Sequence, residues 1–87
     1  MARVLMYLTE YCGYCRSAER LLAAKGVADF ERVRVDLHPE RQREMIERSG
    51  RRTVPQIWIG QRHVGGYDDM AALDRTGELD VLLAAPD

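Results

Sequence analysis

Two cysteines three positions apart, Cys12 and Cys15, enclose Gly13 and Tyr14 and are the only thiols of this 87-residue chain. The pair follows an apolar run, Val4 to Leu8, and precedes a stretch with helical patterning, Arg16 to Lys25. Strand, Cys-x-x-Cys, then helix is a context in which such a pair carries redox chemistry. With Cys12 at the helix start, Cys15 falls about one turn further on, with Cβ atoms ~5–6 Å apart on one face. A disulfide needs ~3.5–4.5 Å, so the pair can open and close without moving the domain. Cys12 also faces the unpaired backbone N–H groups of a helix start, which favour an anion, and Arg16 adds a cation nearby. Such a thiol is suited to forming a mixed disulfide and leaving it again.

Two other readings of the pair stand beside this one: a structural zinc half-site, and two inert buried cysteines. Zinc takes about four ligands. The further soft candidates, His38 and His63, follow at wide spacing that matches no finger pattern.

The elements that must hold the motif can be read from the rest of the chain. Eighty-seven residues make one small domain, 1–87. The net charge of −1 makes no electrostatic case for nucleic acid or a membrane surface. No stretch approaches the ~18–20 apolar residues of a membrane helix. The opening Met1-Ala2-Arg3 and its short apolar run fall below a signal peptide, so the expected location is the cytoplasm.

Val4 to Leu8 is continuously apolar, as a central strand buried on both faces is. Ala18, Leu21 and Leu22 form the stripe of the first helix, Cys15 lies on that stripe and should be more buried than Cys12, and Gly26 closes the helix. Glu31 to Asp36 alternates and puts Val33 and Val35 inward on a second strand, parallel to the first. His38 and Pro39 open a second helix that runs to Ser49. Its charged residues, Glu40 to Arg48, read as a solvated face. Val54 to Ile59 and Arg62 to Val64 form a hairpin around Gly60-Gln61. Tyr67 starts a third helix that Gly77 ends, and Glu78 to Ala85 is a short last helix. The expected fold is α/β: a four-stranded mixed sheet, βαβ then ββα, flanked by three helices plus a short C-terminal helix.

Three segments carry a resemblance: Cys12-Gly13-Tyr14-Cys15, Thr53-Val54-Pro55-Gln56-Ile57, and Gly65-Gly66-Tyr67-Asp68-Asp69. In this order the chain resembles the thioredoxin fold and, within it, the glutaredoxin family. Arg48 to Ile57 looks like the short bacterial dithiol type, glutaredoxin 3. The resemblance covers nearly the whole chain. It implies that Cys12 is the nucleophile, Cys15 the resolving thiol and Pro55 cis. It also implies a glutathione site. Val54 would pair with the peptide backbone, and the N–H groups from Gly66 through Tyr67 and Asp68 would take the γ-glutamyl carboxylate. Asp68 would hold its ammonium group, Tyr14 would pack along it, and Arg51 or Arg52, beside Thr53, would meet the glycine carboxylate. Asp68 as a plain helix N-cap, and His63 and Trp58 as ordinary strand residues, are the structural alternatives.

The chain departs from the family pattern in having Gly13 where the dithiol motif has proline, Thr9 where a lysine is frequent, and Tyr67 where an extra cysteine is frequent. The resemblance implies a monomeric, glutathione-dependent thiol–disulfide oxidoreductase acting on disulfide-containing and glutathionylated proteins. Gly13 is similar to the cluster-binding members, so the alternative is an iron–sulfur carrier. In it Cys12 from each of two chains and two glutathione thiols would hold one 2Fe–2S cluster. A third reading, a thioredoxin-like reductant served by a flavoprotein, is opposed by the Gly-Gly pair and the acidic start of the third helix.

Overall fold

The computed structural model describes residues 1–86, so Asp87 of the expected 1–87 domain lies outside the described residues. Four strands form one mixed sheet in the order β2-β1-β3-β4. These are β1 (Val4–Leu8), β2 (Glu31–Arg34), β3 (Gln56–Ile59) and β4 (Arg62–Gly65). β2 runs parallel to β1, β3 antiparallel to β1, and β4 antiparallel to β3. The helices are α1 (Gly13–Ala24), α2 (Pro39–Ser49), α3 (Tyr67–Arg75) and α4 (Glu78–Ala84).

Alternation along the central strands divides the core in two. Val4, Met6 and Leu8 of β1, with Ile57 and Ile59 of β3, face α1, α3 and α4, where Ala18, Leu22, Met70, Leu79 and Leu83 meet them. Tyr7 and Trp58 face the other way and pack with Val33, Val35 and Met45 of α2. That two-sided burial is why β1 reads as an unbroken apolar run instead of an alternating one.

α1 ends as its glycine predicts. Gly26 has φ +82, its N–H bonds to the Ala23 carbonyl, and the Val27 N–H reaches back to Leu22 at 2.8 Å. This is a Schellman closure, and it turns the chain toward β2. Lys25 ties three helices together, lying 2.6 Å from Asp74 and 3.0 Å from Asp80.

α2 is mostly solvated, as expected, but two of its charged side chains also reach the core. Met45 is its one fully buried side chain, too little apolar area to hold it. Polar groups supply the rest. Glu44 accepts the buried Tyr7 hydroxyl, Arg48 donates to the same oxygen at 2.8 Å, and the Arg48 guanidinium lies 4.3 Å from the Trp58 ring centroid. Burial, then the bond to Glu44, pushes the Tyr7 phenol up. The charges of α2 thus face partly inward because the second core layer contains a hydroxyl that needs partners.

Candidate active site

Cys12 is the N-cap of α1. Its backbone is extended, with φ −144 and ψ 106, and its sulfur accepts the Cys15 N–H at 3.1 Å. A cysteine is outside the usual N-cap set, which is why patterning alone put the helix start at Arg16, three residues late. The cap places the Cys12 sulfur at the positive, N-terminal end of the helix. The same sulfur lies 3.8 Å from the Val54 carbonyl oxygen, which faces it from the loop before β3. Among the described residues Arg16 is paired with no carboxylate. Its guanidinium donates to the Glu10 carbonyl at 2.9 Å and so steadies the loop that leads into the motif.

Both cysteines are free thiols, Cys12 half-buried and Cys15 only 1% exposed, the order the helical stripe requires. The Cys15 thiol is pushed up to about 12, first by burial and then by its bond to the Cys12 sulfur. The site therefore holds one reachable sulfur and, a turn behind it, a second that keeps its proton. Such a pair can attack a disulfide with the first thiol and close a disulfide with the second.

Beside the thiols runs a groove of ≈ 290 Å³, the size of a short peptide. Thr53, Val54 and Pro55 form one wall, and the Val54–Pro55 peptide bond is cis. Gly66, Tyr67 and Asp68, where α3 begins, form the facing wall, and Tyr14 stands at one end with its ring 6.5 Å from that of Tyr67. The first N–H groups of a helix have no partner inside it, so the α3 end of the groove is a place for an anion.

Of the residues expected in this site, Cys12 touches Val54, and Tyr14, Thr53, Val54, Pro55, Gly66, Tyr67 and Asp68 line one concavity. Arg52 is exposed and lies outside that lining, whereas Arg51 is part of it. Asp68 is not the N-cap of α3. That position is Gly66, and Asp69 takes the capping part, accepting the Gly66 N–H at 2.9 Å. The same Asp69 oxygen pairs with Arg51 at 2.9 Å, and these two bonds hold its carboxyl below the usual range. Asp68 is left exposed on the groove wall. Arg51, in the loop before β3, and Asp69, in the first turn of α3, thus brace the groove, an ion pair that no local pattern announces.

Gly65 makes that brace fit. It has φ +113, and a Cβ there would fall 2.4 Å from the Asp69 Oδ2 and 3.0 Å from the Arg51 guanidinium. Gly65→Ala is expected to destabilise the protein by about 1–3 kcal/mol, through strained backbone and a displaced ion pair. A urea midpoint within error of wild type would contradict this account.

The glutaredoxin family model matches residues 4–64. Glutaredoxin 3 of Escherichia coli K12 is 51% identical over 83 residues, spanning 95% of this chain and 99% of that protein. The chain belongs to the glutaredoxin family. Among solved structures, the glutaredoxin of Brucella melitensis is similar, with a TM-score of 0.83, 51% identity and coverage of 95% of this chain and 89% of that one. So is a buckwheat glutaredoxin–glutathione complex, with a TM-score of 0.85 and 29% identity over 94% of this chain and 76% of that one. The α/β fold is the thioredoxin fold of glutaredoxins, and the family makes this chain a thiol–disulfide oxidoreductase. No helix among the described residues is long and apolar enough to cross a membrane.

Proposed function

We propose that residues 1–87 form one cytoplasmic, monomeric domain that uses glutathione to reduce protein disulfides and glutathione mixed disulfides. The observation that carries this reading is the Cys12 sulfur, which caps α1 and lies 3.8 Å from the Val54 carbonyl at the edge of the peptide-sized groove. In the reaction the Cys12 thiolate attacks one sulfur of the substrate disulfide. The other sulfur leaves as a thiolate and takes up a proton. Cys15 then gives up its proton and attacks the Cys12 sulfur, which releases the substrate as a thiol and leaves a Cys12–Cys15 disulfide. One glutathione thiolate opens that bond, forming a mixed disulfide on Cys12 and returning Cys15 to its thiol. A second glutathione thiolate then attacks the glutathione sulfur of that mixed disulfide, which forms oxidised glutathione and frees Cys12 as its thiolate. Where the substrate is itself a glutathione mixed disulfide and its glutathione sulfur is attacked, Cys15 is not needed.

The groove supports glutathione as the reductant. An extended γ-glutamyl tripeptide would run along Val54 as an added strand does. Its glutamyl carboxylate would meet the N–H groups at Gly66, Tyr67 and Asp68, its ammonium the Asp68 carboxylate, and its glycine carboxylate the cations at Arg51 and Arg52. Tyr14 and Tyr67 would cover its length. The buckwheat relative was solved as a glutathione complex.

The test is glutathione-coupled turnover of a small glutathione mixed disulfide, comparing wild type with Asp68→Asn. Wild type is expected to turn over, and the variant to show a KM for the mixed disulfide raised about five- to tenfold, the worth of one exposed charge-assisted contact. An inactive wild type would overturn the reading.

The cluster-carrier reading calls for two chains. Among the described residues no group of three or more His, Cys, Asp or Glu side chains could hold a metal ion, and Cys12 is the one reachable thiol. A 2Fe–2S cluster would therefore need Cys12 from each of two chains and two glutathione thiols held in their grooves. Colour after anaerobic reconstitution with iron, sulfide and glutathione would support it, and a colourless protein would count against it.

A further inference from the structure

We propose that Gln56, itself held by His63, is the positioning residue for the Thr53–Val54 wall of the groove. His63 would then act on glutathione capture from the sheet without touching the ligand. The inference rests on the reading of the groove as a glutathione site.

Gln56 is the buried polar side chain of an otherwise apolar strand, with no exposure. It follows Pro55 directly and turns back on the chain. Its Nε2 donates to the Thr53 carbonyl at 3.1 Å and reaches the Thr53 hydroxyl at 3.3 Å. A carbonyl only accepts, so the amide nitrogen must face Thr53 and the amide oxygen must face away. That oxygen meets His63 Nε2 at 2.8 Å. His63 therefore carries its proton on Nε2 and donates. The ring is fixed in turn by stacking on Trp58, with centroids 4.5 Å apart.

The result is a chain of contacts from Trp58 through His63 and Gln56 to Thr53, the first residue of the groove wall. It spans the hairpin from β4 to the loop. Val54, next along, presents the carbonyl that faces Cys12. Without the donor from Gln56, the Thr53 carbonyl loses a buried partner and the loop loses its anchor, whereas the thiols, tied to α1, keep theirs. The charged groups facing His63 are Arg51, Asp69 and Arg48. Protonating the ring would leave Nε2–H in place as a donor, so the tether does not depend on pH.

The variants are Gln56→Met, which keeps the volume and loses all three bonds, and His63→Phe, which keeps a ring on Trp58 and loses the donor. The measurements are KM and kcat for the small glutathione mixed disulfide and the rate of Cys12 alkylation by iodoacetamide. Gln56→Met is expected to raise KM about tenfold and His63→Phe about threefold, as lost buried hydrogen bonds do, with kcat and alkylation within about twofold of wild type. The double variant should be no worse than Gln56→Met, because His63 acts only through Gln56. If Gln56→Met does not fold, His63→Phe carries the test. KM unchanged in an active, folded variant overturns the inference, as does a parallel fall in kcat and alkylation, which marks a general loosening. An inactive wild type overturns the glutathione reading itself and the inference with it.

Discussion

Replacing Cys12 by serine is expected to remove turnover of every disulfide substrate, with activity falling at least about a thousandfold. Serine is a preferred N-cap residue, so its hydroxyl can take the Cys15 N–H that the sulfur now accepts and α1 should still form. The loss would therefore be chemical and not a failure to fold. Cys15 cannot take over. It is 1% exposed and its thiol is pushed up to about 12 by burial and by Cys12. At pH 7 a thiol titrating there is ionised in about one molecule in 10⁵. Removing Cys12 takes away the part of that upward push that comes from its bond and charge, but burial, the largest cause, remains. Coupled turnover alongside a urea midpoint separates the two explanations. Activity above about 1% of wild type in a folded Cys12→Ser protein would mean that another group is the nucleophile.

The second large effect is a split between substrates. Cys15→Ser is expected to keep turnover of a small glutathione mixed disulfide within about threefold, because glutathione alone can regenerate Cys12 in that cycle. The same variant should lose direct reduction of a protein disulfide and accumulate as a mixed disulfide with it, visible as a covalent adduct by mass. The geometry gives the reason. Cys15 sits one helical turn behind Cys12, and its N–H already contacts the Cys12 sulfur at 3.1 Å, so it is placed to attack that sulfur once it is bonded to a substrate. Its raised pKa also sets the pH dependence. The step needs the thiolate, whose fraction rises about tenfold per pH unit below the pKa, so wild-type resolution should quicken from pH 7 to pH 8. When Cys12 is in a disulfide its negative charge is gone, and burial is left as the main cause holding the proton on Cys15. Reduction of a protein disulfide by Cys15→Ser at the wild-type rate would remove Cys15 from the mechanism.

What the chain itself determined is local. The unbroken apolar run of Val4–Leu8 and the periodicity of Ala18 to Leu22 and Val33 to Val35, with glycine or proline at the boundaries, were enough for the order of elements and for which cysteine would be buried. These readings hold because strand alternation and helical stripes are set within a few residues. Three short segments, in order, were also enough for the resemblance to the family. The tertiary structure alone decided the contacts between distant segments. The Val54 carbonyl, far along the chain, came to lie 3.8 Å from the Cys12 sulfur. Glu44 and Arg48 meet the hydroxyl of Tyr7, far away in sequence, which needed partners. Asp69, not Asp68, capped α3, and Arg51, not Arg52, lined the groove, because a single carboxylate oxygen could satisfy both the Gly66 N–H and an arginine from the loop before β3. Gln56 stood in plain view as a polar residue in a buried strand, a sign that it needed buried partners. Which partners they were, Thr53 and His63, depended on the hairpin register and the turn at Pro55. Pattern reports which face a residue takes; only packing brings together hydrogen-bonding groups that are far apart in the chain.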